Sequence, residues 1–175
     1  MKKVEDYVMS IPDFPEPGII FRDVTSVIQH PEGLKLAIDG MQDLLKDVDF
    51  DVVAGLESRG FVFGMPLAYN NGKGFVMVRK KGKLPRETVS ASYALEYGTA
   101  AIEIHKDAIT EDDVVLLHDD LLATGGTMVA ALELVNQFKP KASYVSFIIE
   151  LVCEGLHGRD AFPEGTDLYT IMTLG

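Results

Sequence analysis

Val114-Val115-Leu116-Leu117-His118-Asp119-Asp120-Leu121-Leu122-Ala123-Thr124-Gly125-Gly126-Thr127 joins an apolar stretch, two adjacent carboxylates, a turn of small residues and a helix start in one run. The apolar start reads as a strand buried on both faces, the kind found in parallel sheets. Ala123 to Thr127 has the chemistry of a phosphate cradle. Glycines let the backbone approach closely, successive N–H groups point inward, and the following helix adds its positive end. Thr124 and Thr127 can add hydroxyl donors. No lysine stands beside the terminal threonine, and neither the nucleotide-triphosphate nor the dinucleotide glycine spacing is present. A phosphate monoester is the better match, with Asp119 and Asp120 suited to the vicinal hydroxyls of a ribose 5-phosphate. A capped strand end with a glycine turn would explain each piece alone, but not the three in one run.

Outward from this run, strands and helices alternate. A short helix is predicted over about residues 3–10, before a stiff Ile11–Gly18 segment in which Pro12, Pro15 and Pro17 bar regular helix. Leu34, Ile38, Met41, Leu45 and Val48 recur at helical spacing and predict a helix from Pro31. Asp51 to Leu56 reads as a buried strand, followed by Glu57-Ser58-Arg59-Gly60 and a helix through Tyr69. Phe75 to Arg79, Ile102 to His105 and Tyr144 to Leu151 read as further strands, and Leu168 to Met172 as a sheet edge. Lys80 to Thr99 has weak periodicity and reads as a long loop or flap. Thr127 opens a helix with Met128, Ala131, Leu132, Val135 and Phe138 on one face. The pattern predicts an α/β fold, a mainly parallel sheet flanked by helices, in one domain over residues 1–175. Ligands of such sheets bind beyond the carboxyl ends of the strands.

Bulk composition narrows the function classes. With 175 residues, 47% hydrophobic, the chain can build one proper core. A formal net charge of −11 argues against a broad nucleic-acid or acidic-membrane surface. No run approaches the roughly 20 apolar residues that span a bilayer, and Glu5 and Asp6 interrupt any signal-like stretch. Cys153 is the only cysteine, so no intramolecular disulfide forms. These features fit a reducing, cytoplasmic setting. Of the 16 basic residues, five crowd into Arg79–Arg86. Alone, that cluster reads as a solvated loop; beside a phosphate cradle it becomes a candidate anion contact.

The acid pair and cradle resemble the phosphoribosyl-pyrophosphate motif of type I phosphoribosyltransferases. The similarity continues through Ile11-Pro12-Asp13-Phe14-Pro15, Pro17–Asp23, Gly55–Gly60, Arg79–Pro85, Leu95-Glu96-Tyr97-Gly98, Glu150-Leu151 and Gly158-Arg159, covering nearly the whole chain. Two departures stand out: His118, where the family more often has an aliphatic residue, and a slightly longer Val152–Gly155 stretch.

The resemblance implies a purine-salvage enzyme in which adenine displaces pyrophosphate from phosphoribosyl pyrophosphate, with inversion, giving AMP. It places Asp119 and Asp120 at the ribose and Ala123, Thr124, Gly125, Gly126 and Thr127 at the 5-phosphate. Ser58, Arg59, Gly60 and Lys83 fall to the pyrophosphate, and Arg79 to a neighbouring subunit's site, hence a homodimer. Ile20, Phe21, Arg22 and Leu121 would surround adenine in a hood over about residues 11–25. Glu96 would accept the imidazole proton, with Tyr97 closing a lid of about residues 80–99. Arg59, Asp119, Asp120 and Glu96 are thus the candidate catalytic residues. Mg²⁺ is the implied cofactor, held mainly by substrate and water, and a non-proline cis bond would fall at Glu57–Ser58. Two alternatives remain: a transferase preferring hypoxanthine, guanine or xanthine, and a regulator that binds the activated sugar without turnover. The Phe-Pro-x-Pro-Gly hood disfavours the first, and the acidic chain with its intact lid residues disfavours the second.

Overall fold

The computed structural model describes residues 2–94, 99–153 and 155–175. At the amino terminus, the predicted helix is reduced to a single 3₁₀ turn, Val4–Tyr7. The residues after it are drawn into strand β1 (Met9–Pro12), which pairs antiparallel with β2 (Ile20–Asp23), from Met9 opposite Asp23 to Pro12 opposite Ile20. Cross-strand bonds here override the local helical reading. The connecting turn carries a cis Phe14–Pro15 bond, and its closing Gly18 donates its N–H to Asp13 Oδ1 at 2.8 Å.

Helix α1 (Thr25–Gln29) and helix α2 (Pro31–Leu44) follow. Pro31 is tolerated because first-turn N–H groups have no intrahelical partner. The buried stripe of α2 is Gly33, Ala37 and Met41, rotated slightly from the one predicted, while Leu45 and Val48 lie past the helix end. Next come β3 (Val52–Leu56), α3 (Arg59–Asn70), β4 (Gly74–Lys80), β5 (Thr88–Ala94) and β6 (Thr99–His105). The chain closes with β7 (Val114–Leu122), α4 (Gly126–Asn136), β8 (Ala142–Leu151) and β9 (Leu168–Leu174).

Seven strands form the main sheet in the order β5-β6-β4-β3-β7-β8-β9. The stretch from β4 to β9 is parallel throughout, and β6 runs antiparallel to both β4 and β5. Alternation along each strand divides the core. Val52, Ala54, Leu117 and Phe147 pack on the α4 side, whereas Val53, Leu116 and Ile148 pack with α2 and α3. This matches the predicted α/β class.

The flap segment differs from its reading as a loop. Residues 88–94 form β5, and Val89, Ala91 and Tyr93 pack on the α4-side core. Their alternation with Ser90 and Ser92 is a period-two signal, which three apolar positions between polar neighbours make faint. Glu96 and Tyr97 lie outside the described residues.

Candidate active site

The adjacent carboxyl ends of β3 and β7 set the site, with Gly55 opposite His118 in their parallel register. β3 leads into the Glu57–Gly60 turn, where the Glu57–Ser58 bond is cis. The turn lies directly on the end of β7. A Cβ on Gly60 would stand 2.7 Å from the His118 carbonyl oxygen and 3.0 Å from Asp119 Oδ1, so only glycine admits this approach. Arg59, at the start of α3, places its Nε 2.5 Å from Asp120 Oδ2. Two residues predicted on separate segments are therefore an ion pair.

The neighbouring acids have different surroundings. Asp120 is buried, 3% exposed, and lies against Arg59, whose own side chain is 39% exposed. Asp119 lines a cleft of about 120 Å³, together with Leu121 and Ala123–Thr127, over a floor of Met128 and Phe147. The Asp120 N–H donates to Asp119 Oδ1 at 2.9 Å. Burial, and then the charge of Asp120, pushes the Asp119 carboxyl well above its usual range. Burial also raises Asp120, against the opposing pull of Arg59. Two neighbouring carboxylates shielded from water resist ionising together.

The predicted cradle is one continuous wall of this cleft. Gly125 caps α4 with φ of +83°, the left-handed turn that glycine supplies without steric cost. Behind it sits the Gly158–Ala161 turn. A Cβ on Gly125 would meet the Gly158 carbonyl oxygen at 2.7 Å, and one on Gly158 would meet the Ala123 carbonyl oxygen at 2.5 Å. That backing turn is held by Arg159, whose Nε donates to both carboxylate oxygens of buried Glu150 at 2.7 and 2.8 Å.

The remaining predicted residues are arranged less directly. Ile20, Phe21 and Arg22 sit on β2 and do not line the cleft that Leu121 borders. Ile20 is exposed, and Phe21 meets Phe14 edge-on at 5.2 Å between ring centroids. Arg22 donates to the Ser10 hydroxyl and to the Gly175 carbonyl. Arg79 is occupied within its own chain: Nε donates to Glu57 Oε2 at 3.2 Å and Nη1 to the Lys83 carbonyl at 3.3 Å. Its guanidinium, with the Lys80 N–H, holds the Glu57 carboxyl below the usual range despite burial. Glu57 thus ties the basic turn to the Ser58–Gly60 loop, a link that sequence reasoning did not anticipate. Lys83 is exposed.

His118 faces away from the cleft, beneath Phe63 and Gly64 of α3. The Ser146 hydroxyl donates to the Leu117 carbonyl at 3.1 Å, so the 2.9 Å contact with His118 Nδ1 is an N–H donated by the ring. Nε2 is buried without a partner, and burial lowers the pKa to about 3. The residue is a neutral core histidine. Among the described residues, no three His, Cys, Asp or Glu side chains gather to hold a metal, and no helix is long and apolar enough to cross a membrane.

Comparison with known proteins agrees with this geometry. Residues 23–163 match the phosphoribosyl transferase domain family. An adenine phosphoribosyltransferase of Agathobacter rectalis is 63% identical over 91% of this chain and 90% of its own. Among solved structures, the adenine phosphoribosyltransferase of Thermoanaerobacter pseudethanolicus superposes with a TM-score of 0.90 at 43% identity, over 98% of both chains. The Saccharomyces cerevisiae enzyme, crystallised with an imino-altritol bisphosphate and adenine, gives 0.87 at 37% identity, over 97% of this chain and 96% of its own. A parallel sheet, a cradle beside an acid pair and near-full-length identity place this chain in the adenine phosphoribosyltransferase family.

Proposed function

We propose that the cleft between the Ser58–Gly60 turn, Asp119 and the Ala123–Thr127 cradle is where adenine and phosphoribosyl pyrophosphate become AMP and pyrophosphate. The observation that carries this assignment is the Arg59–Asp120 pair, which joins a diphosphate-type turn to the acid pair of the cradle.

The cradle N–H groups and the amino end of α4 would hold the 5-phosphate. The Ser58–Gly60 backbone, the remaining Arg59 donors and Lys83 would receive the pyrophosphate. As the anomeric carbon–oxygen bond breaks, its electron pair leaves with pyrophosphate, and positive charge grows on the ribose beside Asp119. Positive charge there favours the ionised form of Asp119, whose carboxyl burial and Asp120 push upward, so its charge would stabilise the cation as it develops. A nitrogen of the adenine imidazole forms the new bond, and its ring proton passes to Glu96. Leu121 covers one face of the base, while Ile20, Phe21 and Arg22 form the opposing hood. Arg22 exchanges its Ser10 and Gly175 partners for a ring nitrogen. Glu96 and Tyr97, which follow β5 in the sequence, would close over the base and exclude water.

No all-protein cage for a cation gathers among the described residues. Mg²⁺ would enter with the diphosphate and water, with Asp119 bordering it, and would supply neutralisation of the leaving-group charge. Val62, Met65 and Tyr69 form an exposed apolar stripe on α3, 38%, 51% and 82% exposed. Their spacing puts them on one helix face, which supports a homodimer built on that helix. The single exposed thiol at Cys153 suits a cytoplasmic setting.

A product assay with phosphoribosyl pyrophosphate and Mg²⁺, offering adenine, hypoxanthine and guanine in parallel, tests the reading. AMP from adenine alone is the expected result. IMP or GMP would overturn the base assignment, and no product from any base would overturn the enzyme reading.

A further inference from the structure

Glu103 is buried, 4% exposed, in an otherwise apolar stretch of β6 between Ile102 and Ile104. It lies opposite Arg79 of β4 and Ser90 of β5. One carboxylate oxygen accepts three consecutive backbone N–H groups, from Gly82 and Lys83 at 3.0 Å each and from Leu84 at 2.9 Å. The other accepts the Thr88 hydroxyl at 3.2 Å. Burial pushes this carboxyl up, but the three N–H groups outweigh it, and the net shift is downward. Glu103 is thus an anion enclosed in a concave turn of backbone donors, the geometry that elsewhere binds phosphate.

Because that nest is already filled, the turn cannot offer its amides to a ligand and presents its side chains instead. Arg79 holds the same turn from the other side through the Lys83 carbonyl and continues to Glu57, next to Ser58. We propose that Glu103 is a positioning residue for the pyrophosphate end of the site, an internal anion that shapes the Gly82–Leu84 turn so that the Lys83 ammonium meets the leaving group. The proposal rests on the reading above that Lys83 contacts pyrophosphate.

The test is binding of phosphoribosyl pyrophosphate and of AMP, by calorimetry, to wild type, Glu103→Gln, Lys83→Ala and the double variant. AMP carries the 5-phosphate, ribose and base but no diphosphate, so it reports on the rest of the site without the pyrophosphate end. Glu103→Gln should weaken phosphoribosyl pyrophosphate about tenfold while leaving AMP within about twofold, and should add less than about twofold to Lys83→Ala. Equal weakening of both ligands, or an unchanged affinity for phosphoribosyl pyrophosphate, would overturn the positioning role. Additive losses would overturn it too while leaving Lys83 a ligand. An unaffected Lys83→Ala would instead remove Lys83 from the proposed function, and the positioning role with it. Gly82→Ala keeps the question decidable if Glu103→Gln does not fold. Its Cβ would meet nothing within 4 Å, but a φ of +85° disfavours it, so the turn is disturbed from its solvent side. The same selective loss is expected, and equal loss of both ligands would count against the proposal.

Discussion

Asp119 and Asp120 are adjacent in sequence and alike in chemistry, yet packing separates their tasks. Asp120 is buried against Arg59, and Asp119 opens on the cleft. Asp120→Asn would keep the shape but leave the Arg59 guanidinium without its counter-charge. Losing about 2 kcal/mol of transition-state stabilisation from that ion pair would lower kcat/KM on the order of 30-fold, with the fold intact. Steady-state kinetics alongside circular dichroism check this, and wild-type turnover would remove the pair from the mechanism.

His118 gives a second expectation at this scale. Unfolded, its imidazole titrates near 6.5; folded, it titrates near 3. Between those values the unfolded chain binds more protons, so stability is fully present above about 6.5 and declines as pH falls toward 3. The slope is about 1.4 kcal/mol per pH unit. His118→Leu should remove that slope in urea titrations between pH 7.5 and 5, with turnover at pH 8 little changed. An identical slope in the variant would show that the imidazole is not neutral in the fold.

At the scale of elements, the cradle depends on a turn that no ligand touches. Gly158–Ala161 packs against the back of Gly125, and Arg159 anchors it to Glu150 at the end of β8. Gly158→Ala would force a Cβ within 2.5 Å of the Ala123 carbonyl oxygen. The cradle must shift to admit it, and AMP affinity should fall about tenfold or more in fluorescence or calorimetric titrations. Unchanged affinity would mean that the cradle relaxes freely. The cradle itself was legible in the run from Val114 to Thr127, because strand, turn and helix cap are contiguous there. The backing turn was not, because it lies more than thirty residues downstream and only tertiary contact brings it behind Gly125.

For the whole molecule, the sheet leaves α3 with an apolar stripe that the described residues do not cover. Met65→Asp should convert a dimer into monomers in sedimentation velocity at micromolar concentration, because a charge at such a seam is costly to bury. A wild-type protein sedimenting as a 19.2 kDa monomer would overturn the dimer reading.

Local signals in the sequence determined the alternation of strands and helices, the parallel sheet, the cradle and the family resemblance, because each is written in contiguous residues. Three strands, β1, β2 and β5, were misread or missed locally. Met9–Pro12 is extended only because Ile20–Asp23 lies beside it, and Thr88–Ala94 is strand because β6 pairs with it and α4 gives its apolar face a floor. Tertiary structure alone decided which acid faces the cleft, that Arg79 turns to Glu57, and that Glu103 fills the basic turn. Each of these depends on which distant backbone comes within hydrogen-bonding distance, and residue type and spacing along the chain do not encode that.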